Sequence, residues 1–414
     1  MIPSTELLPR RAWLIVALLW IVACLNYLDR LILITMRTSI KAEITMTDAQ
    51  FGLLTTVFLV VYGLLSPLGG FVADKFNRSR IIIFSLFAWS ATTWLTAHAT
   101  SLTELLIYRS LMGISEACYF PAAGALIMDY HRNHTRSLAN GIHLSGVMVG
   151  SGLGGLGGYI ADRQDWRFVF ELFGAAGVVY ALVLLAFLRD RPRAEVVEVV
   201  APKLSRVRLG EALISLFSRR AYIYMLLFWG LLAVASWAFA GWLPTYLHEQ
   251  FGMSQGRAGL TALGYIYSAS LIGMVVGGSW ADRWSRVNRR GRILVGVVGI
   301  GIAIPGVLMV SNVPILWVVL TGMIMYGFTR PFPDANMVPI LCQIVDPRYL
   351  ATGVGVLNML AVLVGGLTIY IGGVVRDAQI NITTLFNCGA AGLLVCAILL
   401  WLVRPKPDST LPSS

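Results

Sequence analysis

Six ionisable side chains lie within otherwise apolar stretches: Asp29, Arg30, Arg109, Glu116, Arg330 and Asp334. A charge at the centre of a membrane helix costs about 2.5–3.5 kcal/mol on insertion scales, so such groups persist where they pair or do work. The three acids balance the three bases. Arg109 and Glu116 are seven residues apart, two helical turns or roughly 10 Å along one face. They can line one chamber without closing on each other. Burial favours the protonated form of a carboxyl group, and a guanidinium beside it favours the ionised form. An anion that occupies the guanidinium therefore lets the acid take up a proton, and the two binding events reinforce each other. Arginine's planar fork suits a carboxylate or phosphate. The chemistry these residues imply is anion binding linked to proton uptake. The plainer reading is a static network that ties helices together. Arg330 and Asp334, at i and i+4, can simply neutralise each other.

Other polar groups carry weaker signals. Tyr27, His143, Trp237, Tyr265, Tyr267 and Asn336 can face the same chamber, although aromatics in membrane helices more often pack or anchor at the interface. Asn358 lies in an apolar run and needs a partner. The glycines at 146, 150, 152, 154, 155, 157 and 158 form a small-residue face that suits close helix packing. Cys24, Cys118, Cys342, Cys388 and Cys396 all lie in apolar runs without metal-ligand spacing, so neither a metal site nor a structural disulfide is expected. There is no Walker motif, zinc signature or nucleophile elbow. No cofactor is expected, an enzyme is disfavoured, and any work is driven by an ion gradient, of protons first, with sodium open.

The elements that hold these residues are membrane helices. Of the 414 residues 57% are hydrophobic and 13% charged, and the mean hydropathy is +0.74. Soluble domains carry about 25% charged residues. This excludes a soluble enzyme, a nucleic-acid binder and a secreted disulfide scaffold, despite a net charge of +11. About 20 apolar residues make one span. Twelve are expected, near 13–36, 48–73, 80–98, 102–129, 138–161, 168–188, 222–247, 258–281, 292–311, 314–344, 349–375 and 382–403. The fold class is an all-α polytopic membrane protein. Arg10 and Arg11 precede the first run without a small-residue cleavage site, so that run reads as a transmembrane helix and not a removable signal. With the N-terminus inside, 23 of the 32 Lys and Arg residues fall in cytoplasmic segments and six in outer loops. That asymmetry places both termini in the cytoplasm.

Residues 189–221, rich in charge and proline, form a linker between residues 1–188 and 222–414, with room for a short amphipathic helix at the membrane surface. The halves repeat. Gly70-Phe-Val-Ala-Asp74-Lys75 matches Gly278-Ser-Trp-Ala-Asp282-Arg283, 208 positions later. Phe120-Pro121 matches Phe332-Pro333, and Ala139-Asn-Gly141 matches Ala351-Thr-Gly353, each 212 positions on. Duplicated halves imply a substrate site near the midplane and rocking about it.

At these residues the sequence resembles the major facilitator superfamily. Gly70-x-x-x-Asp74-Lys75-x-Asn77-Arg78-x-Arg80 is similar to its signature loop, with Asn77 where glycine is usual. The resemblance implies two six-helix bundles, and a latch made by Asp74, Lys75 and Arg78 with Asp282 and Arg283. Asn26-Tyr27-Leu28-Asp29-Arg30 and Val149-Gly150-Ser151-Gly152-Leu153-Gly154 resemble the Spinster family of lipid transporters. Arg109 with Glu116, Trp242-Leu243-Pro244-x-Tyr246-Leu247 and Asn358 resemble the anion:cation symporters, which include sugar-acid permeases and sialin-like carriers. That second resemblance implies proton coupling at Asp29 and Glu116 and anion contacts from Arg30, Arg109 and Asn358. A glutamine of the sugar-acid members is replaced by Val147, with His143 one turn away.

The expectation is a secondary transporter of the inner membrane, a monomer that carries a small organic anion such as a sugar acid together with protons. Tyr27, His143, Arg330 and Asp334 join Arg30, Arg109 and Asn358 as candidate substrate contacts. A Spinster-like carrier of lysolipid is the alternative. A non-transporting sensor is a further one, although no sizeable signalling domain is visible.

Overall fold

The computed structural model describes residues 9–131, 135–190 and 209–405. The first nine helices are α1 (Pro9–Thr35), α2 (Arg37–Glu43), α3 (Asp48–Lys75), α4 (Arg78–Thr96), α5 (Leu102–Glu116), α6 (Tyr119–Tyr130), α7 (Arg136–Leu153), α8 (Leu156–Ala161) and α9 (Trp166–Phe187). Then come α10 (Leu209–Phe217), α11 (Arg220–Phe251), α12 (Gln255–Ser285), α13 (Gly291–Asn312), α14 (Leu316–Thr329), α15 (Phe332–Ile344), α16 (Leu350–Asp377) and α17 (Ile382–Leu402). No strand occurs among the described residues.

Ten spans among the described residues are long and apolar enough to cross a membrane, with α5–α6 and α7–α8 each counted as one. α4 and the α14–α15 pair complete the twelve. α4 is less apolar because buried Ser79, Ser85, Ser90, Thr92, Thr93 and Thr96 run along it. The α14–α15 pair is interrupted at Arg330 and Pro331. Proline lacks the N–H that would continue the ladder and crowds the preceding turn. The same cause breaks α5 from α6 just after Glu116, ahead of Pro121. Gly69 of α3 lies against this break, where a side chain would meet the backbone of Ala117 and Cys118.

Helix starts follow local chemistry. Thr47 and Gln50 form a capping box on α3. Asn77 caps α4 by accepting from the Arg80 N–H at 3.0 Å, which accounts for its presence where the resembled loop has glycine. Asp190 accepts from the Arg78 and Ser79 N–H groups at 3.1 and 2.8 Å and secures the same helix start.

Two compact units are present. One holds α1–α9 with segments Trp237–Ser268 and Gly366–Ile382. Its core joins Leu28, Ile32 and Leu33 of α1 to Phe51 and Leu54 of α3, Leu105 of α5, and Trp166 and Phe170 of α9. The expected glycine face packs here. Gly146 and Gly150 of α7 lie on the Trp20 and Cys24 backbone of α1, and Gly155 on the backbone of Gly259. The other unit holds the described residues 209–236, Ala269–Gly365 and the helix from Thr383. There Ala281, Val295 and Phe332 form a packed cluster. α10 is the expected short helix of the linker: Ala212 and Leu216 are buried and Ile214 is exposed. Residues 191–208 of that linker lie outside the described residues.

Candidate functional site

Four of the six midspan ionisable groups come together inside the first unit. α1 supplies Asp29 and Arg30, and α5 supplies Arg109 and Glu116. All four are no more than 4% exposed. Arg30 reaches Glu116 across 86 residues of sequence, with Nε donating to Oε2 at 2.8 Å and Nη2 at 2.7 Å. The rings of Tyr27, Phe58 and Tyr62 enclose the guanidinium, with centroids 4.7, 5.1 and 4.4 Å from Cζ. Cation–π attraction of this kind is strongest where water is excluded.

Arg109 is placed differently. Its charged neighbours are Asp29 and Glu116, but neither is within ion-pair reach among the described residues. Nη1 contacts the Met112 sulfur at 3.4 Å, and Nε has no hydrogen-bond partner. Asp29 stands beside two neutral donors, the Trp89 indole and the Thr93 hydroxyl, which find no other acceptor. The Asn26 amide stands beside Glu116. Asn26, Trp89 and Thr93 were not singled out from sequence. Each is an ordinary helix residue, and only the packing of α1 against α4 and α5 gives it a role.

His143 is 1% exposed on α7. Its Nε2 lies 2.9 Å from the Tyr119 hydroxyl, which donates to the Leu19 carbonyl at 3.0 Å. A tyrosine has one proton to give, so His143 Nε2 is the donor in this pair. The histidine thereby ties α7 to α6 and α1.

The second unit holds Arg330 and Asp334, which form an ion pair. Arg330 Nε also donates to the Ser236 hydroxyl at 2.9 Å, and one Asp334 oxygen is buried without a hydrogen-bond partner. Asn336 donates to the Phe332 carbonyl at 2.9 Å and accepts from Arg292 at 3.3 Å. Asn358 is exposed on α16, Trp237 half-buried, and Tyr265 exposed. Of the resembled signature loop, Arg78 pairs with Asp129 at the end of α6, and Asp282 pairs with Arg292 at 2.6 Å. Lys75 and Arg283 are exposed. The Asp74 side chain lies outside the described residues.

The sequence did not single out a third cluster, at the α1–α3 end of the first unit. A cleft of about 460 Å³ is lined by Lys41, Asp48, Tyr246, Glu249, Arg376 and Asp377, among others. Asp48 pairs with Arg37, with Lys41 and, at 2.8 Å, with Arg376.

Residues 19–369 match the family model of the Major Facilitator Superfamily. This chain belongs to that superfamily. Among relatives in the superfamily, the hexuronate transporter of Bacillus subtilis is 23% identical, covering 78% of this chain and 81% of its own length. The D-galactonate transporter of Escherichia coli is 28% identical over 66% of this chain and 67% of its own length. The sphingosine-1-phosphate transporter SPNS2 of Xenopus tropicalis is 29% identical over 54% of this chain, and the match spans 44% of that relative. The crystal structure of a bacterial homologue of the human lysosomal transporter Spinster, in an inward-facing occupied conformation, aligns with a TM-score of 0.77 at 23% identity. It covers 96% of this chain and 97% of that one. The fold is thus the superfamily's, and the protein is a multi-pass membrane transporter and not an enzyme.

Proposed function

We propose that this superfamily member is a proton-coupled symporter for a small organic anion, a sugar acid or related carboxylate, working by alternating access. One observation carries the reading: among the described residues, the buried Arg109 guanidinium has no carboxylate in ion-pair reach, while Arg30 next to it in the bundle is already matched by Glu116. A buried charge is costly unless it is paired, and an anionic substrate supplies the partner. That anion takes Arg109 and draws Arg30 away from Glu116. Glu116 then accepts a proton, and Asp29 takes the second acid role. Arg330, Asp334, Tyr27, His143 and Asn358 are further substrate contacts in this proposal. An exposed amide in an apolar helix, as at Asn358, is tolerated where it meets water and not lipid.

The asymmetry of Lys and Arg supports cytoplasmic termini; in this reading the protein sits in the inner membrane, its two halves rock about the 189–221 linker, and Asp74 belongs to a cytoplasmic latch. A Spinster-like lysolipid carrier is the second reading, favoured by the identity to SPNS2 and by the aromatic enclosure of Arg30.

The test is uptake by reconstituted liposomes under an imposed pH gradient, with D-galactonate, a hexuronate and sphingosine-1-phosphate as separate probes. Accumulation of a sugar acid, lost in Glu116→Gln while exchange persists, is the expected result. Uptake of the lipid alone selects the second reading. Concentration of a sugar acid by Glu116→Gln on the pH gradient overturns the coupling assignment.

A further inference from the structure

The geometry points to a releasable clasp: Arg37, Lys41, Asp48, Glu249, Arg376 and Asp377 hold the outer end of this transporter shut and must part once in every cycle. The inference rests on the alternating-access reading but not on the identity of the substrate or coupling ion. The cluster joins residues from both halves of the sequence. Asp48 begins α3, and Arg37 and Lys41 belong to α2. Glu249 lies near the end of α11, and Arg376 and Asp377 end α16.

Arg376 holds both sides at once. Its Nε donates to Asp48 at 2.8 Å, while Nη1 and Nη2 donate to Glu249 at 2.8 and 2.6 Å. Arg37 does the same from the other half, pairing with Asp48 and lying 3.5 Å from Glu249. Asp377 accepts from the Asp48 and Ala49 N–H groups at 2.8 and 2.9 Å, so the end of α16 caps the start of α3. A carboxylate there also meets the positive end of the α3 dipole. Three cations balance three anions.

Two neighbouring crossings close the same end. Ser39 and Gln255 exchange hydrogen bonds of 3.1 and 2.8 Å, and Asp162 accepts from the Gly256 N–H at 2.8 Å. Where Gly155 meets Gly259, an added Cβ would lie 2.8 Å from a backbone oxygen. A rocking transporter cannot admit solute from this side while these bonds stand. The cluster is well suited to be broken. Asp48 is buried at its centre, but Lys41 is part-exposed and Glu249 and Asp377 are exposed at the rim, where water can enter and replace lost partners, and exposed pairs individually contribute little. Their number, not any one bond, sets the bias toward closure.

Amide hydrogen exchange on the full chain in lipid nanodiscs tests this without any substrate. Asp48→Asn and Arg376→Gln are expected to raise exchange of residues 46–52 and 370–378 about tenfold, equivalent to ~1.4 kcal/mol in the opening equilibrium. Residues 10–30 and 102–130 should keep wild-type rates. Joining Ser39→Cys to Gln255→Cys with a short bis-maleimide, in a Cys342→Ser, Cys388→Ser background, should return the Asp48→Asn rates to those of wild type. Should Asp48→Asn fail to fold, Glu249→Gln at the rim is the substitute. Unchanged exchange in the variants overturns the clasp. So does a rise spread through the whole first unit, or a local rise that the cross-link leaves in place. Liposome uptake failing for every anion, with these exchange results intact, would count against the substrate reading alone.

Discussion

Glu116→Gln and Arg30→Gln, made singly and together, probe the buried pair at the centre of the site. Removing one partner of a buried ion pair costs about 3–5 kcal/mol, because the other charge is left uncompensated. The two single variants should not be equal. After Glu116→Gln, the guanidinium still faces the rings of Tyr27, Phe58 and Tyr62 and keeps a neutral oxygen to donate to, so the loss sits near about 3 kcal/mol. After Arg30→Gln, Glu116 loses its only ion-pair partner among the described residues, but the carboxylate sheds its charge by taking up a proton, which the guanidinium cannot do by losing one, so the loss stays below about 3 kcal/mol. The double variant buries no mismatched charge from this pair and should lose no more than Glu116→Gln alone. Unfolding in detergent micelles, followed by helical circular dichroism at one pH, supplies the cycle. Strict additivity of the two single losses would falsify the pairing, since coupled residues must deviate from it.

Several other substitutions separate roles. An anion at 100 times its Kd should stabilise the wild type by about 2.7 kcal/mol. Arg109→Gln should abolish that gain, and a retained shift in melting temperature would move the anion site elsewhere. Gly69→Ala forces a side chain onto the backbone of Ala117 and Cys118, so about 1–3 kcal/mol of stability should be lost. Gly70→Ala meets nothing within 4 Å and should be neutral or stabilising, and equal melting of the two variants would contradict the packing. Asp74→Asn should slow uptake with little change in KM, and a change confined to affinity would remove the latch.

Much of this was written in the sequence, and the rest was hidden for a physical reason. The spans were legible because membrane helices must be apolar for about 20 residues, and Pro121 and Pro331 stand inside the runs at 102–129 and 314–344 where the structure breaks the helices. The Arg330–Asp334 pair was legible because i and i+4 are neighbours on any helix. The partner of Glu116 was not. Arg109, seven residues away on the same helix, drew attention, whereas Arg30 is brought in by the packing of α1 against the first bundle. Arg37, Lys41 and Arg376 are among the six basic residues expected in outer loops, and Asp48 opens the span expected at 48–73. Nothing in the linear order says that α16 delivers Arg376 to Asp48, 328 residues earlier. The same limit hid Trp89 and Thr93, whose neighbour Asp29 lies on another helix.

Trp89 also provides an optical gauge beside Asp29. Its indole is fully enclosed, stands edge-on to Tyr119 with centroids 5.5 Å apart, and neighbours the Asp29 carboxylate. The excited state of indole is strongly dipolar, so a charge gained or lost at that distance shifts its emission wavelength. The natural chain can thus test, without a dye attached, the proposed uptake of a proton at Asp29, and a Trp89→Phe control would isolate that one ring from the other eleven tryptophans.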